Sequence, residues 1–201
     1  ALYEALRDVD FDAARLKAAR TLVPSTRYLA DDELVAGEMM ERIVDLDTIP
    51  SVFLSGFSDK FFDGVLVPMM ETSRGCPYSC TFCVSSDRYH SKVRRFSQER
   101  INAELDYIIQ RTTVNEFFIT DDNFGIFKED IDTARHLASL QAKYGFPKRS
   151  YLAAAKNNKA RVIEISKIID GDLYPSAAIQ TTDEEVLRII KRTNPPMEDL
   201  D

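Results

Sequence analysis

The pattern of apolar and polar positions along the chain changes character near residue 65. Before that point, residues 1–20 and 31–45 show helical patterns, the second started by the acidic pair Asp31-Asp32. After it, short apolar runs of strand length alternate with segments of helical period. We therefore predict a helical lead-in segment over residues 1–64, packed on a domain that this sequence lacks, and a separate core over residues 65–201.

The pattern within the core predicts four successive β–α units. The predicted strands are 65–70, 114–120, 150–155 and 176–180, and the helices that follow them are 97–112, 128–144, 160–169 and 183–192. Gly145 is expected to stop the second helix, and Asn194-Pro195-Pro196 the fourth. Such alternation is typical of an α/β fold with a parallel sheet, which right-handed crossovers would curl into a partial (β/α) barrel.

Polar or charged side chains follow the end of every predicted strand. The four clusters are 71–74, 121–123, 156–158 and 180–183. Because the carboxyl ends of parallel strands meet at one edge of the sheet, these clusters are expected to lie along that edge. Ligands bind at the same edge in parallel α/β folds, so it is the predicted functional site.

Bulk composition excludes several classes of protein. A net charge of −7 over 201 residues argues against a general nucleic-acid binder, which needs a basic face. No apolar run approaches the roughly 20 residues that cross a bilayer, so no membrane partner is expected. The three cysteines are odd in number and lie close together, which does not suit a disulfide framework and indicates a reducing, cytoplasmic setting. Since the chain does not begin with methionine, we expect a piece of a longer protein.

Cys76, Cys80 and Cys83 form the clearest chemical signal in the sequence. Their spacings of four and three residues place three thiols on one short loop after the first predicted strand. Structural zinc needs four closed ligands, and His90, seven residues further on, could complete such a set, so zinc stays open. Three thiolates can instead each bind one iron of a [4Fe–4S] cubane, which leaves the fourth iron without a protein ligand. An open metal position is typical of a catalytic site.

The motif Cys76-x-x-x-Cys80-x-x-Cys83, with Phe82 just before the third cysteine, resembles the signature of the radical S-adenosylmethionine (radical SAM) superfamily. The amino-acid sequence of residues 71–77 and 180–194 is similar to that of the superfamily branch with an N-terminal cobalamin (B12)-binding domain. The resemblance implies a [4Fe–4S] cluster on the three cysteines, with S-adenosylmethionine bound at the open iron. It implies reductive cleavage to a 5′-deoxyadenosyl radical, or cobalamin-dependent methyl transfer with the cobalamin held by a domain outside this chain. A family barrel has six β–α units, of which this chain would supply about four.

The resemblance also assigns roles to individual residues. Phe82 corresponds to the aromatic residue that flanks the adenine, and Gln180 to a polar position that contacts the ribose or carboxylate. Asp121, Asp122 and Asn123 occupy the place of a Gly-Gly-Glu segment that receives the methionine amino group, although the residue types differ. Arg95 is expected to pair with the methionine carboxylate. No side chain is assigned as a catalytic acid, base or nucleophile, because the hard chemistry belongs to the cofactor.

Two other functions stay open at this point. A methylthiotransferase of the same superfamily needs a further iron–sulfur cluster, and this stretch has no spare cysteine for one. A zinc or iron–sulfur module without enzymatic activity is the other alternative. For a radical SAM enzyme the resemblance implies an electron donor of the flavodoxin or ferredoxin type. The substrate, a small molecule or a peptide, is not specified by these residues.

Overall fold

The chain forms two compact units, which are described separately. The computed structural model describes residues 1–87, 89–176 and 178–194. The units are Ala1–Ile43 and Val44–Asp201. Their boundary falls inside the lead-in segment predicted over residues 1–64.

Residues 195–201, which include the two prolines predicted to end the last helix, lie outside the described residues. Among the residues that are described, no helix is both long enough and apolar enough to cross a membrane.

The first unit contains two short helices and a β-hairpin. The elements are α1 (Leu2–Arg7), α2 (Ala13–Ala18), β1 (Arg27–Ala30) and β2 (Glu33–Ala36). The continuous helix expected over residues 1–20 is broken because Asp10 and Phe11 adopt positive φ angles of 55° and 60°. Asp12 then starts α2, since its side chain accepts hydrogen bonds from the amides of Ala14 and Arg15.

The helix predicted over residues 31–45 is wrong, because β1 and β2 pair as an antiparallel hairpin. Ala30 lies opposite Glu33, so only Asp31 and Asp32 form the turn. Both have positive φ, at 49° and 60°, as a type I′ turn requires. Aspartate tolerates this conformation better than most residues. The acidic pair that suggested a helix start is therefore a hairpin turn.

The strands of the second unit are β3 (Met69–Met70), β4 (Ser73–Arg74), β5 (Arg94–Arg95), β6 (Glu116–Phe124), β7 (Arg149–Ala154) and β8 (Asp172–Ser176). Four of them form a parallel sheet in the order β3-β6-β7-β8. Its helices are α3 (Gln98–Ile109), α4 (Asp130–Tyr144), α5 (Lys159–Ile168) and α6 (Glu184–Ile189). The strand–helix alternation predicted for the core is confirmed, and the architecture is a partial α/β barrel.

Local signals fix the ends of the helices largely as predicted. Ser97 caps α3 by accepting a hydrogen bond from the amide of Arg100, and Asp183 caps α6 through the amide of Val186. Gly145 ends α4 in the left-handed conformation, with φ of 71°. Because these contacts join residues that are close in sequence, the ends of the helices could be predicted from the sequence.

Three helices cover one face of the sheet. Phe117 and Ile119 of β6 and Leu152 of β7 are buried there in a single apolar cluster. The helices contribute Ile101, Leu105, Ile108, Ala134, Leu137 and Ile165 to the same cluster. Burial of these side chains at roughly 1.5–3 kcal/mol each fixes the sheet beneath the site.

The first strand is shorter than predicted. Of residues 65–70, only Met69 and Met70 pair with β6. The amides of Val65 and Leu66 instead donate to the carboxylate of Asp63, each at 2.9 Å, which turns the chain before the sheet begins.

The fourth strand lies earlier than the predicted range 176–180. Gly171, with φ of 78°, turns the chain directly into β8, which begins at Asp172. Pro175 lies within this strand, opposite Leu152, and proline is tolerated in an edge strand. Among the described strands, β8 pairs only with β7, which makes it such an edge.

The sheet face opposite the helices carries a row of large side chains in register. Met69, Phe118, Tyr151 and Tyr174 lie side by side on the four strands. The rings of Phe118 and Tyr151 stack at 4.4 Å between centroids, and those of Tyr151 and Tyr174 at 5.0 Å. In a barrel this face lines the interior.

Candidate functional site

The three cysteines lie on a loop whose base is closed by a small antiparallel ladder. Ser73 of β4 pairs with Arg95 of β5, and Arg74 with Arg94. The amide of Cys76 donates to the carbonyl of His90 at 3.1 Å, just inside this ladder. The loop therefore leaves the carboxyl end of β3 and returns to the start of α3 with its two ends held together.

Hydrogen bonds within the loop hold Cys80 and Cys83 near each other. The hydroxyl of Ser86 donates to the carbonyls of both cysteines, at 2.6 Å each. The amide of Cys83 donates to the carbonyl of Cys80 at 3.1 Å. The far side of the loop is tied to the last helix, because the amide of Thr81 donates to the carbonyl of Ile190.

All three cysteines are free thiols, and they differ in exposure. Cys76 and Cys80 are buried and Cys83 is half-buried. Among the described residues, no three Cys, His, Asp or Glu side chains converge on a position suited to one metal ion. A cubane does not need one such shared position, because each thiolate binds a different iron.

His90, the fourth ligand considered for zinc, is engaged elsewhere. Its Nδ1 lies 2.7 Å from the carboxylate of Asp87. Its backbone, rather than its ring, contacts the cysteine loop through the amide of Cys76.

The strand end at residues 121–123 divides into buried and exposed parts. Asp121 and Asn123 are buried, whereas Asp122 between them is exposed. Alternate residues of a strand point to opposite sides of a sheet, which accounts for the split. Sequence reasoning placed the three residues together but could not separate their environments.

Asp121 braces the segment that leads into the cysteine loop. Its carboxylate accepts hydrogen bonds from the amide and hydroxyl of Thr72, at 2.6 and 2.5 Å, and from the hydroxyl of Ser73 at 2.6 Å. Burial raises the pKa of the Asp121 carboxyl, while these donors act in the opposite direction. Both carboxylate oxygens are thus occupied by the chain itself.

Asn123 contacts the first cysteine directly. Its amide Nδ2 lies 3.4 Å from the Sγ of Cys76, within hydrogen-bonding range for sulfur. Its Oδ1 is buried and has no hydrogen-bond partner among the described residues. A buried acceptor without a partner is uncommon and points to a donor supplied by a bound group.

Arg95 lies away from the loop's interior, among residues of α3 and α4. Its guanidinium donates to Gln98 Oε1 at 2.8 Å and to Thr133 Oγ1 at 2.9 Å, and pairs with Asp130 at 3.4 Å. These contacts secure β5 against the helices. Its pairing with the methionine carboxylate stays a prediction that no contact of this structure supports.

The remaining predicted site residues, Phe82 and Gln180, are exposed. Phe82 is 53% exposed within the cysteine loop, so its ring is available to a ligand. Gln180 is exposed and lies beyond the end of β8 rather than at a strand terminus. Neither adenine nor ribose contact is tested by these positions, and both stay predictions.

Sequence reasoning missed a pocket beside Cys80. It has a volume of about 200 Å³ and is lined by Pro77, Tyr78, Ser79, Cys80, Lys156, Lys191 and Thr193. The Nζ of Lys156 lies 4.8 Å from the centre of the Tyr78 ring, and burial raises the pKa of the Tyr78 hydroxyl. The polar cluster at 156–158 signalled this edge of the sheet, but nothing in the sequence signalled its contact with the cysteine loop.

Glu71 is a further side chain at this edge whose role was not foreseen. It pairs with the Nε of Arg74 at 2.5 Å, immediately before the glycine that starts the cysteine loop. Burial raises the pKa of the Glu71 carboxyl, in spite of the neighbouring guanidinium.

Sequence comparison gives this geometry a family context. A model of the Radical SAM superfamily matches residues 70–199. The cobalamin-dependent radical SAM methyltransferase TokK of Streptomyces tokunonensis is 35% identical over 188 residues, covering 87% of this chain. A 2-(S-pantetheinyl)-carbapenam-3-carboxylate methyltransferase of Streptantibioticus cattleyicolor is 37% identical over 183 residues, also 87% of this chain. The chain spans 27% of the length of each of these two relatives.

Solved structures share the fold at low sequence identity. The cobalamin-dependent S-adenosylmethionine radical enzyme OxsB aligns over 98% of this chain and 29% of its own, with a TM-score of 0.60 and 18% identity. The radical S-adenosylmethionine methyltransferase TsrM of Kitasatospora setae aligns over 70% of this chain and 28% of its own, with a TM-score of 0.53 and 14% identity. Because the family model covers more than half of the chain, and the matched residues include the cysteine loop, the chain belongs to the radical SAM superfamily.

Proposed function

We propose that the protein containing this chain is a cobalamin-dependent radical SAM methyltransferase. In this proposal Cys76, Cys80 and Cys83 hold a [4Fe–4S] cluster, and S-adenosylmethionine binds beside it. The single observation that carries the proposal is the cysteine loop, with both ends fixed at the carboxyl edge of a parallel sheet and its thiols unpaired.

The donor set suits a cubane with one open iron. Three thiols on one loop supply three soft ligands, which is the type that iron–sulfur clusters prefer. The unpartnered Oδ1 of buried Asn123, next to Cys76, provides an acceptor for a ligand that carries N–H donors. When bound, a reduced cluster supplies the electron for reductive cleavage of S-adenosylmethionine to a 5′-deoxyadenosyl radical.

The chain's own side chains then have distinct tasks in binding. Asn123 Oδ1 and the exposed carboxylate of Asp122 are the acceptors offered to the methionine amino group, since Asp121 is occupied by Thr72 and Ser73. Phe82 supplies an exposed ring for the adenine. Gln180 stays a proposed contact of the ribose or carboxylate.

Methyl transfer is favoured over methylthio transfer by one observation. The relatives at 35% and 37% identity are both methyltransferases. The open face with Phe118, Tyr151 and Tyr174 is the surface on which we place the substrate.

Two further parts of the proposal concern the setting of the protein. A cluster of this type needs an electron donor, and we propose one of the flavodoxin or ferredoxin type. Three reduced thiols favour a cytoplasmic location.

Anaerobic reconstitution of the complete protein with iron and sulfide tests the proposal. We expect about four irons per chain, the content of one [4Fe–4S] cluster, and an electron paramagnetic resonance (EPR) spectrum that changes when S-adenosylmethionine is added. Cys83→Ala should lose the intact cluster, whereas Val84→Ala, at the exposed residue next to it, should retain it. Binding of a single zinc ion, with no response to S-adenosylmethionine, would instead support the non-enzymatic module.

A further inference from the structure

We propose that Asn123 is a positioning residue that sets the reduction potential of the cluster through a hydrogen bond to the Cys76 sulfur. The inference rests on the proposed function, because it concerns a cluster bound to Cys76. It goes further in giving one of the three thiolate ligands an electronic role of its own.

The position of the Asn123 side chain is fixed by its surroundings. The residue is 4% exposed, and its Nδ2 lies 3.4 Å from the Sγ of Cys76. Its backbone carbonyl accepts from the amide of Ile126, and the next residue, Phe124, accepts from the amide of Ala155. Since the backbone is held on both sides of the strand end, the amide group has little freedom to turn away from the sulfur.

The chemistry of the two groups determines which end of the amide faces the sulfur. A thiolate that ligates iron can only accept a hydrogen bond, so the NH₂ group must face Cys76 and the oxygen must point elsewhere. That is the arrangement observed, with Oδ1 left without a partner among the described residues. Rotation of the amide by half a turn would place two acceptors against each other.

The contact is made to the cysteine sulfur itself. Asn123 donates to the Sγ of Cys76, whereas the hydroxyl of Ser86 donates to the backbone carbonyls of Cys80 and Cys83. Hydrogen bonds to the sulfurs are among the factors that set the potential of an iron–sulfur cluster. A donor stabilises the more negative, reduced state, so Asn123 should raise the potential.

Two substitutions of Asn123 in the complete, reconstituted protein test this inference. Asn123→Leu removes the donor at similar volume, and Asn123→Asp keeps the shape but replaces the donor by an acceptor. We expect both variants to have a lower cluster potential than the wild type in an EPR-monitored redox titration, with the larger shift for Asn123→Asp. Unchanged potentials in variants that retain full iron content would overturn the inference.

Ser150→Ala is the matched control. Ser150 is likewise buried in the sheet, and its hydroxyl has no hydrogen-bond partner in the part of the chain that the structure describes. It lies opposite Phe117, at the other end of β6 from Asn123. The potential should not shift in this variant. A shift equal to that of Asn123→Leu would show that loss of any buried polar group in the sheet suffices, which contradicts the inference.

A measurement on the wild type keeps the test decisive even where the variants do not fold. Protein labelled with ¹⁵N in the asparagine side-chain amide should show a coupling between that nitrogen and the reduced cluster in electron–nuclear double resonance. Absence of the coupling in a cluster of full iron content contradicts the inference alone. Failure of the wild type to assemble any cluster contradicts the proposed function instead.

Discussion

The two ends of the second unit differ sharply in how they are held. Around β6, α3 and α4, side chains such as Leu105, Ile108 and Leu137 are completely buried. At the other end, α6 buries no residue, and most of β8 is exposed. The cysteine loop contacts both regions, with its base on the first and Thr81 on the second.

This difference indicates a division of tasks at the site. The buried region fixes the position of Cys76 through the β4–β5 ladder and Asn123. The exposed region covers the outer side of the loop through one backbone contact to Ile190. Regions with few buried contacts open at low free-energy cost, so we expect the α6 side of the loop to open more readily than the β4–β5 side.

The largest expected effect on stability comes from removing the Asp121 carboxylate, which accepts hydrogen bonds from Thr72 and Ser73 in the buried region. Asp121→Ala leaves the Thr72 amide and two hydroxyls, all buried, without their acceptor. We expect a loss of about 3 kcal/mol in the free energy of unfolding, since each buried unsatisfied group costs roughly 1–3 kcal/mol. Urea denaturation of the chain measures this loss.

Asp122→Ala is the control, because it removes a neighbouring carboxylate that is exposed. Substitutions at exposed positions usually change stability by no more than about 0.5 kcal/mol. Equal losses in the two variants would contradict the distinction between buried and exposed carboxylates at this strand end.

A smaller effect is expected from the cap of α6. Asp183→Ala removes the hydrogen bond to the Val186 amide, at a cost of about 1 kcal/mol. Because α6 buries no residue, we expect that cost to appear locally, as about five-fold faster hydrogen exchange in residues 184–190 and at the Thr81 amide.

Ser97→Ala sharpens the same comparison, since it removes an equivalent cap from α3. The buried stripe of α3 should keep that helix closed, so its amides should exchange only with global unfolding. Faster local exchange in α3 than in α6 would mean that the α3 region opens more easily than the α6 region, which contradicts the comparison.

How much of the fold the sequence predicted depends on how far apart along the chain the interacting residues lie. The caps at Ser97 and Asp183 and the stop at Gly145 depend on residues within one turn, and all three were predicted correctly. The cysteine motif is also local, and its resemblance to a known signature indicated the family. Parallel β–α alternation requires only periodicity, which the chain shows clearly after residue 65.

What the sequence could not predict depends on contacts between distant residues. Asp31-Asp32 fits a helix start and a hairpin turn equally well, and pairing of the flanking strands decided between them. Asp121 and Asn123 contact Thr72 and Cys76, which lie almost fifty residues earlier, and no local pattern reports such contacts. Proline is more typical of loops than of strands, so Pro175 gives no local sign of the edge strand that contains it.

The smallest expected effect is the pH dependence contributed by Asp121. Burial raises its folded-state pKa above the unfolded value of about 3.9, so the protonated form is favoured in the folded chain. Its contribution to stability is therefore fully present below pH of about 3.9 and is lost as the pH rises through the folded-state pKa. The difference in unfolding free energy between the wild type and Asp121→Asn should accordingly fall from low to neutral pH in a series of urea titrations. The difference between the wild type and Ser150→Ala should stay constant, because neither residue titrates there; a wild-type advantage over Asp121→Asn that grows with pH would mean that the three donors outweigh burial at this carboxylate.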